Sequence, residues 1–274
     1  MTTGPRFETL FEEPGLPRFE LPHELEDAYG QFGLAEDVVF ANFVAAVDGV
    51  ADIPEVSVSS PIISGGHPAD RFLLGLLRAC ADVVVVGAGT FRAHPGPWTA
   101  EQGYAPAAAA FADLRARLGA PDRPKQVVVS SSGKIDGSSE KLRDTLVVTT
   151  AAGVTTLKDV EAEGFDVVEV GGSGEVDVGR MMSILSERGF RRILAEGGPR
   201  LMGRLLEAGV VDELFLTVSP LVAGGGRDRP RPGLAAGVDL LPGTRLGTRL
   251  LSARRSESYL FLRYALEPPT RVDR

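Results

Sequence analysis

The chain has 274 residues, 43% of them hydrophobic and 24% charged, and its 37 acidic against 29 basic side chains leave a net charge of −8. That balance excludes a nucleic acid as bulk partner, because phosphate backbones are gripped by basic surfaces, while a small anion held by backbone amides stays compatible with it. A single cysteine, Cys80, excludes an intrachain disulfide, and the chain shows neither an export signal nor an apolar run of membrane length, so a soluble cytoplasmic protein is expected.

In chain order, residues 1–37 come first, rich in Pro, Glu and Phe and without sustained periodicity. They read as an extension that wraps the domain or is partly disordered. From Val38 a series of short Val/Ile/Leu runs begins: VVFANFVAAVDG, ADVVVVGAGT, KQVVVSS, DTLVVTT, FDVVEVGG, RRILAEGG, DELFLTVSPLV and SYLFLRYAL. Such runs, bounded by glycine or polar residues, are strands covered on both faces. Amphipathic helical patterns separate several of them, at 68–80, 176–189 and 199–209. Strand–helix alternation predicts an α/β layer sandwich with a mostly parallel sheet. The last two runs have no helix between them and are expected to close the sheet as an antiparallel edge. Residues 101–124 read as a surface insertion with a short Ala-rich helix, and 223–233 as a loop rich in Gly and Pro. One domain over 38–266, followed by a tail at 267–274, accounts for the rest.

Three strand ends carry the candidate chemistry. In ILAEGGPRLMGRLLEAG (193–209), a buried run ends at Glu196, and Gly197 and Gly198 precede Pro199, the favoured first residue of a helix. Glycines there let bare backbone approach a ligand, and the unpaired amides of a helix start suit a phosphate. In VVVVGAGTFRA, Gly87, Gly89 and Thr90 repeat that grammar, although Arg92 stands where a dinucleotide fingerprint needs a third glycine. In ANFVAAVDGV, Asn42 interrupts an apolar strand and needs hydrogen-bond partners, which a ligand or neighbouring backbone could supply; Asp48–Gly49 could be no more than a turn. Arg78, at the end of the helix over 68–80, is by position an ordinary solvated C-terminal charge.

Together ANFVAAVDG, DRFLLGLLRACADVVVVGAGTFRA, VVVSSSGKI, RRILAEGGPRLMGRLLEAGVVDELFLTVSPLVAGG and YLFLRY resemble, in order over about 38–265, the reductase domain of the bifunctional riboflavin-biosynthesis deaminase-reductases. The resemblance implies a dihydrofolate-reductase-like three-layer sandwich and NADPH as cofactor. It places Val44, Gly87, Gly89, Thr90, Ser131 and the turn through Gly197, Gly198, Pro199, Leu201, Met202 and Gly203 against the cofactor. The substrate side would use Asn42, Asp48, Arg78 and Glu196, and the family commonly forms homodimers, for which DELFLTVSPLVAGG could supply part of an interface. The deaminase half needs H-x-E and P-C-x-x-C motifs; with only Cys80, His23, His67 and His94 present, neither deamination nor a metal site is expected.

Two departures from the family pattern bear on the substrate. Val50 stands where the family has a basic residue after Asp-Gly, and RAHPGPWTAEQ (92–102) replaces a segment with two aspartates and a following arginine, with His94 in place of the first aspartate. Phosphate recognition then comes from elsewhere or is not needed. Reduction of a pyrimidine ribosylamine phosphate, the aminouracil ribosyl phosphate of riboflavin synthesis (5-amino-6-(5-phosphoribosylamino)uracil), is the leading expectation, with Asp48 handling a proton on a partly buried carboxyl of raised pKa, or water doing so instead, and Glu196 orienting substrate polar groups. The alternatives are reduction of a reduced pterin such as dihydrofolate, and a catalytically silent NADPH-binding protein. Arg92, Ser131 and Lys134 are candidate contacts for the cofactor's 2′-phosphate.

Overall fold

The computed structural model describes residues 4–94, 96–135, 142–157, 164–172 and 174–272. The valine runs form a ten-stranded sheet in the order β1-β10-β11-β8-β2-β7-β3-β4-β5-β6. Here β1 is Glu8–Glu12, β2 Val38–Ala46, β3 Val83–Gly87, β4 Lys125–Ser130, β5 Thr145–Thr149, β6 Asp166–Glu169, β7 Arg192–Ala195 and β8 Glu213–Ser219. A small β9 (Thr244–Arg245) pairs with β12 (Thr270–Arg271) apart from the main sheet, which β10 (Thr248–Ser256) and β11 (Tyr259–Leu266) complete. From β8 through β6 all neighbours run parallel, whereas β11, β10 and β1 pair antiparallel along one side. This is the mostly parallel mixed sheet with an antiparallel edge that the alternation of patterns requires.

Strand period two sorts the valines onto two cores. Val84 and Val86 join Phe72, Leu76 and Phe111 on one face, while Val83 and Val85 join Met181, Leu185, Leu205 and Leu206 on the other. The helix Pro68–Cys80 covers the first face, and Val178–Glu187 and Pro199–Glu207 cover the second.

Three local expectations change, and one strand escaped the sequence reading. Residues 4–36 are integral to the unit: β1 pairs with β10, and Leu25, Tyr29, Phe32 and Leu34 lie in the first core. β10 itself was hidden by its arginines. Arg254 is buried there because Glu12 pairs with it and the Tyr29 ring lies 4.3 Å from its guanidinium carbon. The stretch 101–124 is no surface insertion, since its helix Ala108–Arg117 buries Phe111 and Leu114 against Pro68–Cys80. Finally, Glu213–Ser219 lies between β2 and β11 inside the sheet, so it offers no free edge to a second copy; Leu221 and Val222, just beyond it, are exposed.

One close approach positions the later site. A Cβ on Gly103 would fall 2.6 Å from the amide nitrogen of Gly75, in mid-helix, and one on Gly75 would fall 2.6 Å from the Phe111 ring. Two glycines thus let the short helix Ala100–Gly103 lie directly on Pro68–Cys80. Because the Gly103 neighbour is backbone and cannot rotate away, Gly103→Ala is expected to cost roughly 1–3 kcal/mol in urea unfolding; an unchanged midpoint would contradict the contact.

Candidate active site

The C-terminal ends of the parallel strands open into a cleft of about 1510 Å³, the place where open α/β sheets bind ligands. One half of it is made of backbone turns. β3 and β7 are neighbours in the sheet, so the turns that follow them lie side by side, tied by the Glu196 amide donating to the Val85 carbonyl at 3.0 Å. A Cβ on Gly197 would sit 3.1 Å from the Gly87 nitrogen and 2.5 Å from Leu201 Cδ2; one on Gly198 would sit 3.1 Å from Thr90 Oγ1. Glycine is required at 197 because the two turns touch there. Each turn starts a helix, Ala88–Ala93 and Pro199–Glu207, and neither has a side-chain cap on its first amides.

Gly87, Gly89, Thr90, Ser131, Gly197, Gly198, Pro199, Leu201 and Val44 all line the cleft, as expected. Met202 and Gly203 do not. Met202 points into the second core, and Gly203 faces the chain at Ala236, whose carbonyl oxygen a Cβ there would meet at 2.6 Å. They belong to the buried face of the helix, which they share with Leu205 and Leu206, three and four residues beyond Met202. Ser131 is held by the Val176 amide donating to its Oγ at 3.2 Å and by Thr150 Oγ1 donating to its carbonyl at 2.7 Å. Arg92 lines the cleft nearby and donates to the Lys134 carbonyl at 2.8 Å.

The other half is organised by a buried ion pair. Arg78 Nε and Nη2 donate to the two carboxylate oxygens of Glu196 at 2.7 and 2.6 Å, with side chains only 3% and 6% exposed. The position of Arg78 near a helix end suggested a solvated charge; in the fold it is covered. Its Nη1 donates to the Thr99 carbonyl at 3.3 Å and to Gln102 Oε1 at 3.2 Å, and its guanidinium carbon lies 4.9 Å from the Trp98 ring centre. Gln102 Nε2 in turn lies 3.3 Å from His94 Nε2. The replaced segment 92–102 therefore packs over Arg78, brought there by the Gly75–Gly103 approach. With both charges engaged, Arg78 presents no free cation to a substrate phosphate.

Asn42 lines the same cleft, and its buried Oδ1 has no hydrogen-bond partner among the described residues. Asp48 does not line it. Its carboxylate is exposed in the turn after β2 and accepts from the Gly224 amide at 2.7 Å, a bond that holds its pKa below the usual carboxylate range. The expected raised pKa is thus overturned, because backbone amides, Gly224 first, favour the ionised form by more than desolvation opposes it.

Among the residues of the cleft wall that sequence reasoning missed, two stand out chemically. Asp70 and Arg71, in the first turn of Pro68–Cys80, both line it. Burial pushes the Asp70 carboxyl above the usual range, partly offset by the Thr217 hydroxyl, His67 and Ser64. Arg71 donates through Nε to the Gly103 carbonyl at 3.1 Å and makes no ion pair among the described residues. An acidic residue in a first helical turn is common for its favourable placement near the helix dipole, so nothing in the sequence marked Asp70.

The RibD C-terminal domain family model matches residues 37–249. The chain belongs to that family. The 2,5-diamino-6-ribosylamino-4(3H)-pyrimidinone 5′-phosphate reductase of Archaeoglobus fulgidus is 29% identical over 70% of this chain and 84% of its own length. The structure of a pyrimidine reductase-like protein from Corynebacterium diphtheriae superposes with a TM-score of 0.66 at 26% identity, covering 89% of this chain and 98% of that one. RibD from Acinetobacter baumannii, at 17% identity and a TM-score of 0.63, shares the fold over 58% of its length. This RibD C-terminal domain carries β1 and β11, outside the matched stretch, in the same sheet.

Removing one partner of the Arg78–Glu196 pair leaves a buried charge uncompensated. Arg78→Ala and Glu196→Ala are each expected to destabilise by about 3–5 kcal/mol, with the double variant losing much less than the sum. Urea unfolding of the four proteins in a double-mutant cycle checks this, and strict additivity would contradict the pairing.

Proposed function

We propose that this chain is an NADPH-dependent reductase of a pyrimidine ribosylamine 5′-phosphate. The single observation that carries the reading is the continuity of one cleft, from the paired glycine turns to the Arg78–Glu196 pair, with room for a dinucleotide and a small ring side by side. The donor set fits the cofactor. Uncapped helix amides beside bare glycine backbone suit a pyrophosphate, and Arg92 near Ser131 suits a 2′-phosphate. When bound, NADPH supplies a hydride to the imine-like sugar carbon of an opened ribosylamine.

The chain's own residues bind, orient and exclude water. Asn42, with its unpartnered Oδ1, accepts a hydrogen bond from the substrate. Glu196 orients substrate polar groups only through oxygen lone pairs left over from Arg78, so its catalytic part is positional. Asp48 stands outside the cleft and has no role in the reading; the proton on nitrogen comes from water. With Arg78 engaged, the sugar phosphate is assigned to Arg71, whose remaining donors make no hydrogen bond among the described residues. One observation favours a second reading: a cleft whose deep arginine is neutralised also suits a reduced pterin, which carries no phosphate there. The homodimer implied by the resemblance belongs to this reading too, using Leu221 and Val222 or the sheet edges; a solution mass of 29.0 kDa by light scattering would remove it.

Steady-state NADPH oxidation with the ribosylaminopyrimidine phosphate and with dihydrofolate tests the assignment. The phosphate substrate is expected to turn over, and Arg71→Ala to raise its KM roughly 10- to 100-fold, the worth of a charged hydrogen bond, with kcat nearly unchanged. Turnover of dihydrofolate alone would replace the first reading by the second.

A further inference from the structure

We propose that Asp70 is the specificity-determining residue for the substrate ring, accepting two parallel N–H bonds from a 2-amino-pyrimidin-4-one edge and thereby selecting that ring over a uracil. The inference rests on the reductase reading above and names which ring the site takes.

Asp70, Leu74 and Arg78 are spaced four residues apart on Pro68–Cys80, so they stand on one face of the helix, and all three line the cleft. Over eight residues that face is about 12 Å long, enough for a substituted pyrimidine between the two charged ends. At one end the charges cancel, because Glu196 holds Arg78 in a two-bond pair. At the other, Asp70 makes no ion pair among the described residues. Beneath it on β8 lies the buried Thr217 hydroxyl, which with Ser64 favours the ionised carboxyl. The hydroxyls of Thr217 and Ser64, with His67 nearby, still leave an ionised carboxylate short of donors, since its two oxygens offer about four acceptor sites. Burial accordingly raises its pKa, which means that the folded protein leaves the charge undersolvated.

A ligand that brings two adjacent N–H donors completes this site. The N3–H and 2-amino group of a 2-amino-pyrimidin-4-one lie parallel and match the two oxygens of a carboxylate, as a guanidinium does. A uracil presents N3–H beside a C2 carbonyl oxygen, which would oppose the second carboxylate oxygen with no proton between them. The Archaeoglobus relative is named for a ring with the 2-amino group in place.

Asn is nearly isosteric with Asp but offers one acceptor and one donor, the complement of the uracil edge. The test measures calorimetric affinity for 2,5,6-triaminopyrimidin-4-one and for 5,6-diaminouracil, both with NADP⁺ present, in the wild type and in Asp70→Asn. The wild type is expected to prefer the triamino ring roughly 10- to 100-fold, and Asp70→Asn to lose that preference or reverse it. An unchanged preference in the variant, equal affinity for both rings in the wild type, or no binding of either would overturn the proposal. Because the probes carry no sugar and undergo no reduction, a ring preference that persists while NADPH oxidation fails would overturn the reductase reading and leave Asp70's role standing. Thermal melts of the unliganded proteins separate a structural role: with the charge undersolvated, Asp70→Asn is expected to keep or raise Tm at neutral pH, where a structural carboxylate would lower it.

Discussion

The buried pair between Arg78 and Glu196 ties together everything that makes the cleft usable. It joins the helix over one face of the sheet to the end of β7, where the glycine turn begins. Taking two charges out of water is expensive, and such a pair holds only with good geometry and further hydrogen bonds. Here both oxygens of the carboxylate are used, and Thr99, Gln102 and the Trp98 ring take the rest of the guanidinium. Those three groups come from the segment 92–102, so the pair also fixes the wall that distinguishes this chain from the family pattern.

The second constraint is topological. β7 enters the sheet between β2 and β3, so two strand-to-helix turns far apart in sequence end next to one another. Only glycine at 197 tolerates the resulting contact with the Gly87 amide. Two uncapped helix starts then face one space, and their aligned peptide dipoles favour an anion between them. Backbone turns thus define one half of the cleft, and the helix Pro68–Cys80 lines the other together with Trp98, Gln102 and the stretch 56–61. The helix Pro68–Cys80 supplies Asp70, Arg71, Leu74 and Arg78 from the face toward the cleft while its opposite face carries Phe72, Leu73, Leu76 and Leu77 into the core.

Much of this was legible before any coordinates. All eight apolar runs became strands, because strands buried on both faces leave an unbroken Val/Ile/Leu signature. The glycine turns were legible because Pro199 and the G-x-G spacing mark a strand-to-helix change directly. Less visible were elements whose polarity is cancelled by partners remote in sequence. β10 carries Arg254, neutralised by Glu12 more than two hundred residues away, and so did not read as a strand. Arg78 looked solvated for the same reason, since its partner is Glu196. Asp48 erred in the opposite direction: an acidic residue after a conspicuous strand invited a catalytic reading, whereas the fold uses it to hold the Gly224 amide. Asp70 carried no local signal, because its environment is built by β8 and by the loop at Ser64 and His67.

In the proposed reading the adjacent turns hold a dinucleotide whose reactive ring faces the helix carrying Asp70 and Arg78. A crystal structure with NADP⁺ bound is the decisive test. Pyrophosphate oxygens are expected within hydrogen-bond distance of amides at Ala88–Thr90 and Arg200–Leu201, with the nicotinamide C4 open toward Leu74. A dinucleotide held elsewhere, or phosphates contacting only surface side chains while both turns stay empty, would contradict it.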